Sequence, residues 1–306
     1  LVQKSQKTQL SHSFFSTCST QDTNKPRQAS HLFLSFTMAD TIRSSEEEKK
    51  EFFDPPEVLD QKIEQLATWI RDAEHFTSFT GAGISTSTGV PDFRSGVNTV
   101  LKTGPGAWEK RAIIKNGGKV AKKGVAVSTL KAIPSKTHMA LLKLMDEGLL
   151  KFLISQNTDG LHRRSGIDPK KLAELHGNSN MERCKKCGKE YMRDFRVRNA
   201  QKVHAHETGR LCDNPACKGK LKDTIINFGE NLPEKELDAG FDNAQLSDVC
   251  LAMGSSLTVT PAADMPQTVG QRGKLIIVNL QKTPLDRLAA LRINAMCDTV
   301  MEKLME

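Results

Sequence analysis

"FTGAGISTSTGVPDFR" (Phe79–Arg94) sets three glycines and five Ser/Thr residues behind an apolar start and closes on Pro-Asp-Phe-Arg. So small a loop packs no core, and its use is to let backbone amides come close to a ligand. Upstream, "FTSFTG" reads as a short strand, which puts the loop at a strand's carboxyl end. Before it, "PPEVLDQKIEQLATWIRDAEH" carries Val58, Leu59, Ile63, Leu66 and Ile70 at the spacing of one helical face, with Pro55 and Pro56 at the start. Downstream, "THMALLKLMDEG" predicts a helix capped at Gly148, "LLKFLIS" a strand and "KLAELHG" a shorter one. "DVCLAMGSSL" and "KLIIVNLQ" are apolar runs that end in small or polar residues, as buried parallel strands do, and "VMEKLME" closes as a helix. Residues 97–136 are rich in Gly and Lys with weak periodicity and read as an irregular basic insertion. Alternating helices and buried strands predict an α/β fold, a Rossmann-like doubly wound parallel sheet.

Such sheets bind ligands beyond the carboxyl ends of their strands, and the polar clusters of this chain fall there. Gly81, Ala82, Gly83 and Ser85 suit a pyrophosphate, with free amides as donors. Gly254, Ser255 and Ser256 of "GSSL", and Asn279, Leu280 and Gln281 of "NLQ", would add contacts from two later strands. Each cluster alone also reads as a turn. The glycine spacing is GxG followed by Gly89 rather than GxGxxG. No acid stands between Phe93 and Trp108, the stretch where a dehydrogenase of this loop spacing would hold the ribose, and Asp92 comes too early for that role.

Composition bounds the rest. The 306 residues, 38% hydrophobic, suffice for one large domain and a smaller module. No run of about 18 apolar residues occurs, so no membrane partner is expected. Formal charge is +8, concentrated in residues 110–136, with eight Lys/Arg and no acid, and 178–222, with twelve against five. That suggests an anionic partner or a solvated basic face. "CKKC" (184–187) and "CDNPAC" (212–217) supply four cysteines, Cys184, Cys187, Cys212 and Cys217, which suit a closed tetrahedral zinc site. His204 or His206 could replace one of them. Cys18, Cys250 and Cys297 read as unpaired thiols, a pattern that favours a reducing compartment. Residues 1–37 hold one acid and much Ser, Thr, Gln and His, and Met38 opens an ordinary-looking start. They are read as upstream read-through or, alternatively, a mitochondrial transit segment. The expected division is a disordered tail over 1–50, the Rossmann-like domain over 51–177 and 223–306, and an inserted zinc module over 178–222.

Taken with "SQNTDGLH" (155–162) and "LAELHGN" (172–178), the order GAGIS, GVPDFR, QNxDGLH, LHG, paired cysteines, GSSL and NLQ resembles the sirtuins. These are NAD-dependent protein deacylases. "SKTHMALLKL", "KLAELHGN", "TGRLC" and "IVNLQKTPLD" look most like the chromatin-associated sirtuin-six branch, whereas "INFGENLP" and "GSSL" look more like other branches. The resemblance implies that an acyl-lysine oxygen attacks the nicotinamide ribose of NAD and expels nicotinamide. His176 matches the general base, and Gln156, Asn157 and Asp159 match residues that hold the ribose and the carboxamide. Thr158 stands where the family usually has Ile or Val. Ala82, Thr86, Phe93, Arg94, Trp108, Gln281 and Cys297 match further NAD contacts, and Asp92, Phe93 and Arg94 would form a lid. One structural zinc, an acyl-lysine substrate such as a histone tail, contact with DNA or nucleosomes through the basic segments, nuclear residence and a monomeric state are the accompanying expectations. Mono-ADP-ribosyl transfer and a noncatalytic NAD-sensing chromatin binder are the alternatives.

Overall fold

The computed structural model describes residues 47–119, 127–199 and 202–306. The expectations for residues 1–37, and those for 120–126 of the basic insertion, lie outside the described residues. Along the chain run α1 (Pro56–Asp72), β1 (Phe76–Thr80), a 3-10 turn (Ala82–Thr88), α2 (Ala107–Lys115), α3 (Lys136–Asp146), β2 (Leu150–Ser155), α4 (Leu161–Ser165) and β3 (Leu172–Glu174). Then follow β4 (Met181–Cys184), β5 (Glu190–Met192), β6 (Glu207–Leu211), β7 (Lys220–Asp223), α5 (Glu234–Leu246), β8 (Val249–Met253), α6 (Asp264–Gly270), β9 (Lys274–Val278), β10 (Ala289–Ile293) and α7 (Cys297–Met305).

Six strands form one sheet in the order β10-β9-β8-β1-β2-β3, every pair parallel. Successive side chains of a strand point to opposite faces, so each buried strand feeds two cores. Val249, Leu251 and Met253 of β8, with Ile276 and Val278 of β9, join Leu66 and Ile70 of α1, Leu141 of α3 and Val300 of α7 in one layer. Cys250, Ala252, Leu275 and Ile277 point the other way, to Ala244 of α5 and Met265 of α6. The chain order reverses around β1, so the loops after β1 and β8 part there and leave a crevice. Buried hydroxyls of β1 are all engaged: Thr77 with Ser247 at 2.8 Å, Ser78 donating to the Leu251 carbonyl at 3.0 Å, and Thr80 with His162 at 2.9 Å. The second sheet is antiparallel, β5-β4-β7-β6, and its strands lie between Met181 and Asp223.

Two regions differ from the sequence reading. Within residues 97–136, read as irregular, α2 forms because its first amides find partners: Gly106, Ala107 and Trp108 donate to the carbonyls of Ser95, Asp92 and Phe93 at 2.8, 2.8 and 3.0 Å. The tail read over 1–50 also ends early, since residues 47–49 form a turn and Lys49 pairs with Glu109 at 3.0 Å.

Candidate active site and zinc centre

A cavity of about 480 Å³ opens at the carboxyl ends of β1, β2, β8 and β9. Gly81, Ala82, Gly83 and Thr86 line it after β1, Gln156, Asn157 and Thr158 after β2, and His176 after β3. Gly254, Ser255 and Ser256 follow β8, and Asn279, Leu280, Gln281 and Cys297 complete that side. The glycines have a reason that sequence did not show. A Cβ on Gly81 would lie 2.7 Å from the Gly254 carbonyl oxygen, and one on Gly83 2.6 Å from the Gly254 Cα. The two loops therefore touch backbone to backbone, with Gly83 donating to the Gly254 carbonyl at 2.8 Å. Gly254 itself takes φ +61, open to glycine at no steric cost.

His176 is fixed by one bond. Its Nδ1 lies 3.0 Å from the Gln156 carbonyl oxygen, which only accepts, so the proton sits on Nδ1 and Nε2 keeps its lone pair. Nε2 is buried and has no partner among the described residues. Burial drives the imidazole pKa down to about 4, partly offset by the Gln156 bond, and keeps the ring neutral. A neutral imidazole with an unused lone pair, facing a cavity, can take a proton from a ligand hydroxyl. Around it, Asn157 donates through Nδ2 to the Gly81 carbonyl at 3.1 Å, and Ser255 donates to Gln156 Oε1 at 2.7 Å.

Asp92, Phe93 and Arg94 all line the cavity. The Arg94 guanidinium lies 4.7 Å from the Trp108 ring centre, and the Phe93 and Phe228 rings lie 5.5 and 5.6 Å from Trp108. Asp92 turns inward: its carboxylate takes the Ser95 hydroxyl at 2.5 Å and the Ser95 amide at 3.2 Å. Burial raises its pKa against those two bonds. Ser85 and Asp159 stand behind the wall and do not line the cavity; they bind one another, with the Ser85 hydroxyl donating to Asp159 at 2.7 Å. Asp159 also accepts from the Leu161 amide at 2.9 Å, which shapes the Asn157–Gly160 turn. On the β9 side Arg292 donates to the carbonyls of Asn279, Gln281 and Ile293 at 2.7, 2.6 and 2.8 Å, so one guanidinium sets that loop.

Ile226, Phe228, Val203 and Val259 add an apolar stretch of cavity wall that the sequence reading did not assign. Phe228 could have been found in "NFGE"; nothing local marks Val203. Ile225 and Ile226 separate this cavity from a second of about 480 Å³ beside the zinc module. Acids around the second cavity are tied into ion pairs, Glu174 with Arg163 at 2.9 Å and Glu190 and Glu236 with Arg183 at 2.6 and 3.0 Å.

The cysteine Sγ atoms of Cys184, Cys187, Cys212 and Cys217 lie within 4.8 Å of one another. Cys184 to Cys217 is 3.6 Å and Cys187 to Cys212 is 3.7 Å. Tetrahedral zinc with Zn–S near 2.3 Å needs sulfur edges of about 3.8 Å, so the set fits the ion with no position left open. His206 is engaged elsewhere, by Asp223 at 3.0 Å and Glu230 at 3.1 Å, which leaves the four thiolates as the ligand set. The Tyr191 hydroxyl touches Cys212 Sγ at 3.0 Å and Asp213 at 2.5 Å.

Residues 81–261 match the Sir2 family. The NAD-dependent protein deacetylase SRT1 of Arabidopsis thaliana is 46% identical over 258 residues, 84% of this chain and 51% of that protein. The chain thus spans about half the length of the plant relatives it matches. The NAD-dependent protein deacetylase Sirt6 of Drosophila melanogaster is 37% identical over 83% of this chain and 77% of its own. A solved Sir2 structure with p53 peptide and NAD+ superposes with a TM-score of 0.57 at 31% identity, covering 79% of this chain and 97% of that one. This chain belongs to the Sir2 family of sirtuins, close to the sirtuin-six and sirtuin-seven branch.

Proposed function

We propose that the chain is an NAD-dependent protein-lysine deacylase, carried by one observation: a neutral, half-buried His176 whose buried Nε2, without a partner among the described residues, belongs to the wall of a dinucleotide-sized cavity. When bound, NAD supplies the ribose–nicotinamide bond that breaks and the ribose that receives the acyl group. Gln156, Asn157, Ser255 and the Gly81–Gly83 backbone hold its ribose and phosphates, while Arg94 and Phe93 cover it. Phe93, Trp108 and Phe228 keep water from the reacting centre, which strengthens each charge interaction there. His176 Nε2 would take the proton of a ribose hydroxyl, while Nδ1 stays bonded to the Gln156 carbonyl. Ile226, Phe228 and Val259 suit the methylene chain of an acyl-lysine. Asp159 acts from behind, by holding Ser85 and the turn that carries Asn157.

Four thiolates bind one structural zinc, which takes no part in the chemistry. The motifs "SKTHMALLKL" and "KLAELHGN", which look most like the chromatin-associated sirtuin-six branch, motivate a nuclear protein acting on histone tails, and exposed Arg111, Lys115 and Lys119 on and after α2 motivate contact with DNA. Incubation with acetyl-peptide and NAD is expected to release nicotinamide and acyl-ADP-ribose. His176→Tyr should lower turnover by roughly 10²–10⁴-fold, the range of a general base, with the fold intact. Full turnover in that variant would reject the assignment.

A further inference from the structure

The segment Asp92–Trp108, which forms one wall of the cavity, has little to hold it. No helix or strand runs between Thr88 and Ala107, and Phe93, Val97 and Val100 are about half exposed at 50, 48 and 55%. With so little apolar burial, hydrogen bonds must set its position. A short stretch ahead of α1, outside residues 81–261 that match the family, supplies several. The Glu51 carboxylate accepts from the Thr99 hydroxyl at 2.6 Å and the Val100 amide at 2.9 Å. The aliphatic stem of Lys49 lies against Gly96, and its ammonium pairs at 3.0 Å with Glu109, next to Trp108.

Its other end is fastened to the opposite wall. Phe52 donates to the carbonyl of Leu280, a cavity residue, at 3.0 Å. The Asp54 carboxylate takes the Asn294 amide at 2.9 Å, the Asn294 side chain at 3.1 Å and Lys62 at 2.7 Å. Burial opposes that charge, but the bonds from Lys62 and Asn294 hold its pKa below the usual carboxylate range.

We propose that residues 49–54 are a clasp across the cavity, and that Glu51 is a positioning residue for the dinucleotide-binding wall Asp92–Trp108. This rests on the dinucleotide reading of the cavity. Charge-assisted bonds from a carboxylate are the strong kind, and here they join two walls that no continuous element connects. Cutting the clasp leaves the wall to be ordered at the moment of binding, which weakens affinity; Glu51 itself lines the cavity, whereas Lys49 and Asp54 do not, so their removal takes no contact from the ligand.

ADP-ribose binding by calorimetry and amide exchange of the free full-length chain test it. Glu51→Ala should weaken ADP-ribose roughly tenfold, the loss expected for one or two bonds to a charged acceptor, and speed exchange over residues 93–108. Glu51→Gln, which keeps an acceptor oxygen, should recover part of both effects. Lys49→Ala and Asp54→Ala remove side chains that do not line the cavity, and both should shift affinity and exchange in the same direction. Unchanged affinity in all three alanine variants overturns the clasp. So does weakening confined to Glu51→Ala with unchanged exchange, because Glu51 would then touch the ligand directly. A wild-type chain that does not bind ADP-ribose rejects the dinucleotide reading instead; the exchange rates then decide the clasp alone, and unchanged rates overturn it.

Discussion

Where the six-stranded sheet buries two apolar faces under five helices, the four-stranded sheet carries a small apolar cluster of Cys184, Tyr191, Cys212 and Leu221, with Cys217 against them. The cysteine module compensates with charge: Glu182, its side chain fully buried, accepts from Arg193 at 2.8 Å and from Arg210 at 2.8 Å. In the larger layer the imidazoles of His138, His162 and His176 are instead kept neutral. The contrast teaches that one region is folded by its own core, while the other relies on paired charges around a cysteine set shaped for an ion.

Metal removal is the strongest way to break that comparison. Structural zinc contributes on the order of 10 kcal/mol, more than so small a core supplies. Cys212→Ser, or chelation, should release the metal and open residues 181–223 to protease, with the six-stranded sheet still folded by circular dichroism. A module that resists protease without zinc would erase the distinction.

Acid should strike the other region. His138 and His176 are held at about 4 by burial, against 6.5 unfolded, and His162 is pushed well below. The unfolded chain therefore binds the extra protons first, so this part of the stability is whole above 6.5 and is lost as pH falls toward 4. Each of the first two accounts for roughly 3 kcal/mol across that window. Stability to urea should fall between pH 7 and 4.5 accordingly, and His176→Gln should flatten that dependence; an unaltered dependence would contradict a ring held neutral.

The smallest effect tests the backbone contact. An alanine Cβ at Gly83 would sit 2.6 Å from the Gly254 Cα, an overpacking worth roughly 1–3 kcal/mol. Gly83→Ala should lower the melting temperature while zinc content stays at one per chain. A variant as stable as the parent would show that the two loops can part.

Much of this was legible wherever a local pattern carried it. The helical face of Leu59, Ile63, Leu66 and Ile70, the apolar strands β8 and β9, and the paired cysteines each announce themselves within a few residues. What stayed hidden depends on partners distant in sequence. α2 needs the carbonyls of Asp92, Phe93 and Ser95, and Arg292 reads as an ordinary basic residue until the carbonyls of Asn279 and Gln281 gather around it. Gly83 looked like space for a ligand because nothing in the chain says that Gly254 lies against it. Ser85 and Asp159 carried the right motif, yet they are spent on each other behind the wall.

The placement of Tyr191 has a practical side. It is the single tyrosine of the chain, and its oxygen lies 3.0 Å from a cysteine sulfur of the metal set. The two tryptophans are divided between α1, where Trp69 packs on the apolar layer, and the cavity wall, where Trp108 stands. Each part of the molecule thus carries its own ultraviolet chromophore, so phenol difference absorbance would report a metal added to the cysteines and indole emission a nucleotide added to the cavity, with no label attached.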